Sequence, residues 1–79
     1  MDSKLYLLND NVHSFDDVVF VLRKYFGYSM LHGASIANIV HESGKCSIKE
    51  GPEEELELYF EGLTKEGFNV KIENNYEEY

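Results

Sequence analysis

Cysteine, proline and tryptophan are nearly missing from this chain, which has one Cys, one Pro and no Trp. The lone Cys46 leaves no internal disulfide to form and fits a reducing compartment, so a cytoplasmic location is expected. No apolar run comes near the roughly 18 residues of a membrane helix, and no basic-then-apolar leader opens the chain. The expectation is therefore a protein that neither spans a membrane nor carries a secretory signal. Positive charge is scarce too: 7 Lys and Arg face 15 Asp and Glu, a formal net charge of −8. Such a surface repels nucleic acid and anionic lipid, so neither is expected as a partner. Cys46 and the histidines His13, His32 and His41 show no paired metal-ligand spacing. A phosphate-cradling glycine loop and a nucleophile–base set are also missing. No metal, no cofactor and no enzymatic activity are expected.

What is present is a foldable pattern. Seventy-nine residues with 43% hydrophobic content are enough for one domain around one small core. Residues 4–8 read as a strand, with Leu5, Leu7 and Leu8 apolar. Ser14 and Asp17 form a capping-box pattern, and Phe15, Val18, Val19, Leu22, Tyr25 and Phe26 then recur at helical spacing until Gly27 stops them. The β-branched run Val18 to Val21 argues for a strand, but the cap, the length and the stop outweigh it. Ser29 caps a second helix that ends near Gly44, and Gly33, Ala37, Val40 and His41 share one of its faces. Three of those four are small or short, so something can approach that face closely. Residues 45–50 alternate as a second strand. Pro52 then opens a third helix with Glu53, Glu54 and Glu55 in its first turn, where the dipole favours them, and Gly67 ends it. Phe68, Val70 and Ile72 alternate with polar residues as a third strand. The order βααβαβ predicts an α+β two-layer sandwich, a three-stranded sheet with helices packed against it. The domain is expected over residues 1–73, followed by a flexible acidic tail at residues 74–79.

The functional reading turns on Asn9-Asp10-Asn11, placed where the first strand runs out. Oxygen acceptors at such a turn suit an ammonium, which has several N–H donors, and a neutral His41 ring adds one more acceptor. Leu7-Leu8-Asn9-Asp10-Asn11, Phe26-Gly27-Tyr28 and Val40-His41-Glu42-Ser43-Gly44-Lys45 together resemble the ClpS family. The likeness runs without a gap from about Lys4 to Lys45. It implies an adaptor that recognises N-terminal degradation signals (N-degrons of the N-end rule) and hands such substrates to a Clp AAA+ unfoldase of the ClpA or ClpC type. By this resemblance Asn9, Asp10 and His41 hold the substrate's free α-amino group, with Asn11 and His13 beside them. Phe15, Val18, Val21, Ala37, Val40 and Phe68 form the cavity for its first side chain. Burying a Leu or Phe side chain contributes roughly 1.5–3 kcal/mol, and a charge-assisted hydrogen bond about 1.5–3 kcal/mol. After the cost of association these terms support micromolar-range binding. A turn carboxylate contributes little to a core, so removing Asp10 is expected to abolish binding without unfolding the domain.

The chain departs from the family pattern at several positions. A usual Met is Ala37, which enlarges the cavity, whereas Phe15 and Phe68 replace smaller residues and fill it. A usual Asp is Asn11, and a small hydroxyl residue is His13. The helix used for docking to the unfoldase keeps Glu54 and Glu57 but lacks the usual lysine, and the family's N-terminal extension has no counterpart before the first strand. Recognition is thus expected to be better preserved than delivery. Each feature also has a plainer account. Asn9 to Asn11 make a simple turn, His41 satisfies the last helix carbonyls, and the apolar residues are ordinary core. His13 is either a ligand contact or an exposed loop residue. The glutamates make a solvated face. The alternative function is a protein-interaction domain of the same fold that no longer reads amino termini.

Overall fold

Capping chemistry sets the first helix. In a computed structural model, which describes residues 2–74, the Ser14 hydroxyl accepts from the Asp17 N–H at 3.1 Å. Asp17 Oδ2 accepts in return from the Ser14 N–H at 2.9 Å. This reciprocal box starts helix α1, Phe15–Phe26, and Gly27 ends it in the left-handed conformation. Val18, Val19, Val21 and Leu22 are its buried residues. Burial of that stripe overrides the strand preference of the β-branched run. The Ser29 hydroxyl accepts from the His32 N–H at 3.1 Å and starts helix α2, Met30–Ser43.

Strand β1, Asp2–Leu8, lies at the centre of an antiparallel sheet of order β2-β1-β3. Strand β2 is Lys45–Pro52 and strand β3 is Asn69–Asn74, with helix α3, Glu53–Lys65, between them. The order is βααβαβ and the fold is α+β, as the pattern predicts. Along β1, Ser3, Leu5 and Leu7 are buried while Lys4, Tyr6 and Leu8 are only partly covered, which places the core on one face of the sheet. The β1–β2 register shifts between Leu5 and Tyr6, whose partners are Lys49 and Ser47. Ile48 is the extra residue there, and it is buried.

Four boundaries differ from expectation, one being the start of β3 at Asn69 rather than Phe68. Strand β1 begins at Asp2 rather than Lys4. Strand β2 runs through Pro52, so Pro52 caps α3 instead of occupying its first turn. Asn74, expected to open the tail, is paired with Ser3 and accepts its hydroxyl at 2.7 Å. The rest of that expected tail, residues 75–79, lies outside the described residues.

One cluster forms the core, drawing Leu5 and Leu7 from β1, Val18, Val21 and Leu22 from α1, Ile36, Ala37 and Val40 from α2, and Leu56 and Leu63 from α3. The close approach foreseen on α2 is made by α1. A Cβ on Gly33 would stand 3.3 Å from Val19 Cγ1, so the missing side chain lets the two helices meet. After Gly27, the Tyr28 ring stacks on Phe26 and its hydroxyl donates to the Ile48 carbonyl at 2.6 Å. That bond ties the α1–α2 turn to the sheet.

Candidate functional site

Two stretches distant in sequence meet where β1 ends. The Asn9 N–H donates to the Gly44 carbonyl at 2.9 Å, holding the loop after β1 against the end of α2. Gly44 has φ +91° and its own N–H donates to Val40, so it ends α2 and turns that carbonyl toward the loop. His41 sits exposed in the last turn of α2. Its ring stacks with that of half-buried Phe15, centroids 6.0 Å apart. Asn9 and Asn11 are exposed.

Asp10 is already engaged. Oδ1 accepts from the N–H groups of Val12 at 2.9 Å and His13 at 2.7 Å. Oδ2 lies 2.9 Å from His13 Nδ1, and the carboxylate side chain is only 11% exposed. Burial works to raise the pKa of this carboxyl, but hydrogen bonds from the His13 N–H, the His13 ring and the Val12 N–H, with the charge of His13, hold it below its ordinary value. An ionised carboxylate only accepts, so Nδ1 of His13 is the donor. A carboxylate has about four lone-pair sites, and three are taken. The spacing Asp10 to His13 carried this signal, an Asx turn closed by the ring, whereas the sequence left His13 as either a ligand contact or an exposed loop residue; its side chain is largely covered and bonded to Asp10. The turn given as the plainer account of Asn9 to Asn11 is thus present, with Asp10 closing it onto Val12 and His13.

The His13 ring stacks on Phe68 with centroids 3.8 Å apart and planes 16° from parallel. The loop is thus clamped to the residue that precedes β3. Val18, Val21, Ala37, Val40 and Phe68 are all buried, Ala37 completely. The structure therefore joins Asp10 to His13 and the Asn9 backbone to the end of α2, while the His41 ring contacts Phe15 and the other apolar candidates are packed as core. Glu54 and Glu57 are exposed on α3. Glu57 lines a groove of about 750 Å³ between α3 and β3, together with Phe60, Val70 and Ile72. A second groove of about 750 Å³ runs between α1 and the start of α2, lined by Phe15, Val19, Phe20, Met30 and Ala34 among others. Sequence reasoning missed that groove, although Phe20 falls off the apolar stripe of α1.

Burial raises the pKa of the Cys46 thiol, which keeps it protonated and a poor nucleophile. Among the described residues, no group of three or more His, Cys, Asp or Glu side chains is arranged to hold a metal ion. No described helix is long and apolar enough to cross a membrane.

A three-stranded antiparallel sheet with three helices, its first loop hydrogen-bonded to the end of the second helix, defines the class: an α+β domain of βααβαβ order. The structure of Agrobacterium tumefaciens ClpS2 bound to L-phenylalaninamide matches it with a TM-score of 0.88, at 21% identity, over 94% of this chain and 96% of that one. A family profile described as ATP-dependent Clp protease adaptor protein ClpS matches residues 2–72. The ATP-dependent Clp protease adapter protein ClpS of Thermosynechococcus vestitus is 34% identical over 68 residues, 85% of this chain and 72% of that protein. The ClpS of a Synechocystis species is also 34% identical over 68 residues, 85% of this chain and 69% of its own length. The chain belongs to the ClpS family, the adaptors of the ATP-dependent Clp protease.

Proposed function

We propose that this domain captures the free α-amino group and bulky hydrophobic first residue of N-degron substrates and delivers them, in the cytoplasm, to a Clp AAA+ unfoldase of the ClpA or ClpC type. The observation that supports the reading is the bond from the Asn9 N–H to the Gly44 carbonyl, which ties the start of the Asn9–His13 loop to the end of α2, the helix whose last turn carries His41. An α-ammonium there has three donors. The remaining lone pair of Asp10, the Asn9 side-chain oxygen and a neutral His41 nitrogen are matching acceptors. A protonated His41 would repel the ligand instead. Val18, Val21, Ala37, Val40 and Phe68 form the apolar ground beneath the site. Because Ala37 has no exposed surface, a first side chain reaches it only by displacing the side chains packed over it. L-Phenylalaninamide, the ligand of the similar Agrobacterium protein, has a free amino group and a phenyl side chain, which supports this ligand class. Glu54 and Glu57, with the apolar α3–β3 groove beside Glu57, are the docking residues in this reading.

A second reading, an interaction domain that no longer reads amino termini, is favoured by one observation: His13 and Val12 already occupy Asp10. Binding of peptides that differ only in residue one, each with a free or an acetylated amino end, separates the two. Under the first reading Leu, Phe and Tyr peptides bind in the micromolar range only when the amine is free. Equal binding of acetylated peptides, or none of either, establishes the second.

A further inference from the structure

The contact between His13 and Asp10 decides which acceptor the loop offers to a ligand. Asp10 Oδ1 takes the backbone N–H groups of Val12 and His13, which uses both of its lone pairs. Oδ2 takes one bond, from His13 Nδ1 at 2.9 Å. The lone pair left over is therefore on Oδ2, the same oxygen that the imidazole holds.

The imidazole is anchored away from the loop it serves. Its face lies on the Phe68 ring, centroids 3.8 Å apart. Its edge runs along Gly67, where a Cβ would stand 3.6 Å from His13 Cε1. Phe68 is buried, and its N–H donates to the Leu63 carbonyl in α3 at 3.0 Å. A carboxylate held through one oxygen alone still swings about its Cβ–Cγ bond, a broad torsion. A bond to the second oxygen, from a ring stacked on the buried part of the fold, removes that freedom.

We propose that His13 is a positioning residue for the substrate's α-ammonium, fixing Asp10 so that the free lone pair of Oδ2 stays directed at the ligand. This role rests on the adaptor reading above. It gives the His13–Asp10 contact the opposite sense from the second reading, in which His13 merely occupies the carboxylate.

NMR of the ring nitrogens at pH 8, together with calorimetric titration of a Phe-initiated peptide with a free amino end, tests this. In the free parent protein the neutral His13 ring carries its proton on Nδ1. Asp10→Asn sets an amide NH2 in the place of Oδ2, so the proton moves to Nε2. His13→Asn keeps a donor nitrogen near the Nδ1 position and binds the peptide within about twofold of the parent. His13→Phe keeps the stack on Phe68 but has no donor, and binds about fivefold or more weakly, in the range for losing one pre-ordered side chain. In the Asp10→Asn background His13→Phe changes affinity by less than about twofold, a non-additivity that a merely structural role does not produce. His13→Leu, which also lacks the donor, takes the place of His13→Phe where circular dichroism shows that variant unfolded. A parent ring protonated on Nε2 overturns the proposal. So does donor-less binding as tight as the parent's or tighter, or an equal loss in the Asp10→Asn background. A parent that binds no free-amine peptide removes the adaptor reading itself, and the positioning role with it.

Discussion

Asp10 holds a turn and, in the proposed reading, accepts from a ligand as well. Its three hydrogen bonds hold residues 10–13 in shape, so Asp10→Ala removes structure along with charge. At about 0.5–2 kcal/mol for a lost cap-like carboxylate, the domain remains folded but the loop loosens. Asp10→Asn is the cleaner probe, since its amide oxygen still accepts from the Val12 and His13 N–H groups. It is expected to keep most of the stability and to lose at least about tenfold in affinity for a free-amine peptide, the size of one charge-assisted hydrogen bond. Titration calorimetry beside urea denaturation distinguishes the two effects. The pH dependence follows from the lowered carboxyl pKa. The group titrates lower folded than unfolded, so its stabilisation is complete above the ordinary aspartate value of 3.8 and disappears as pH falls through the folded value. The stability gap between wild type and Asp10→Asn therefore narrows when denaturation is repeated at pH 3 instead of pH 7. A residue-by-residue reading finds Asp10 and His41 because Asn-Asp turns and helix-end histidines have recognisable chemistry. It cannot weigh the pairing with His13, which depends on a ring settling against Phe68 from the other end of the chain.

At the scale of elements, the site is a junction between a loop and a helix end. Its shape depends on how α2 stops. Gly44 sits at φ +91° with nothing within 4 Å of a would-be Cβ, so a side chain there meets no clash and only the backbone conformation resists it. Gly44→Ala is expected to cost about 1–2 kcal/mol in thermal or chemical denaturation, the penalty of the left-handed region for an L residue. It also shifts the carbonyl that receives the Asn9 N–H, and weaker peptide binding is expected from a variant that is still folded at room temperature. A Gly44→Ala protein with parental stability and affinity would show that the junction does not depend on this cap. The starts and stops of α1 and α2 were legible because capping is local: Ser14, Asp17, Gly27, Ser29 and Gly44 act within a few residues of themselves. The ends of β1, β2 and β3 were less so. Strand pairing is decided by a partner elsewhere in the chain, such as Pro52 opposite Asp2 and Asn74 opposite Ser3.

The whole molecule is small, and its single core also underlies the proposed site. Leu56 is completely buried where α3 meets the rest of the cluster. Replacing it by Ala is expected to cost about 2–5 kcal/mol, against a typical domain stability of about 5–15 kcal/mol. Leu56→Ala should therefore lower the denaturation midpoint sharply and reduce peptide binding only in proportion to the unfolded fraction. A midpoint close to wild type would mean that the core at α3 is loosely packed. Val21, Ala37 and Val40, candidate cavity residues in the proposed reading, are part of this core.

The sequence alone determined the element order, the caps of α1 and α2, the acidic character and the ClpS family pattern. Each of these is written in short-range spacing or in composition. Tertiary structure decided the rest. It pairs Asp10 with His13 and stacks that ring on Phe68. It encloses Ala37 and leaves Phe20 standing beside an open groove between two helices. These outcomes depend on where distant residues come to lie, and spacing along a chain does not encode the distance between elements that only packing brings together.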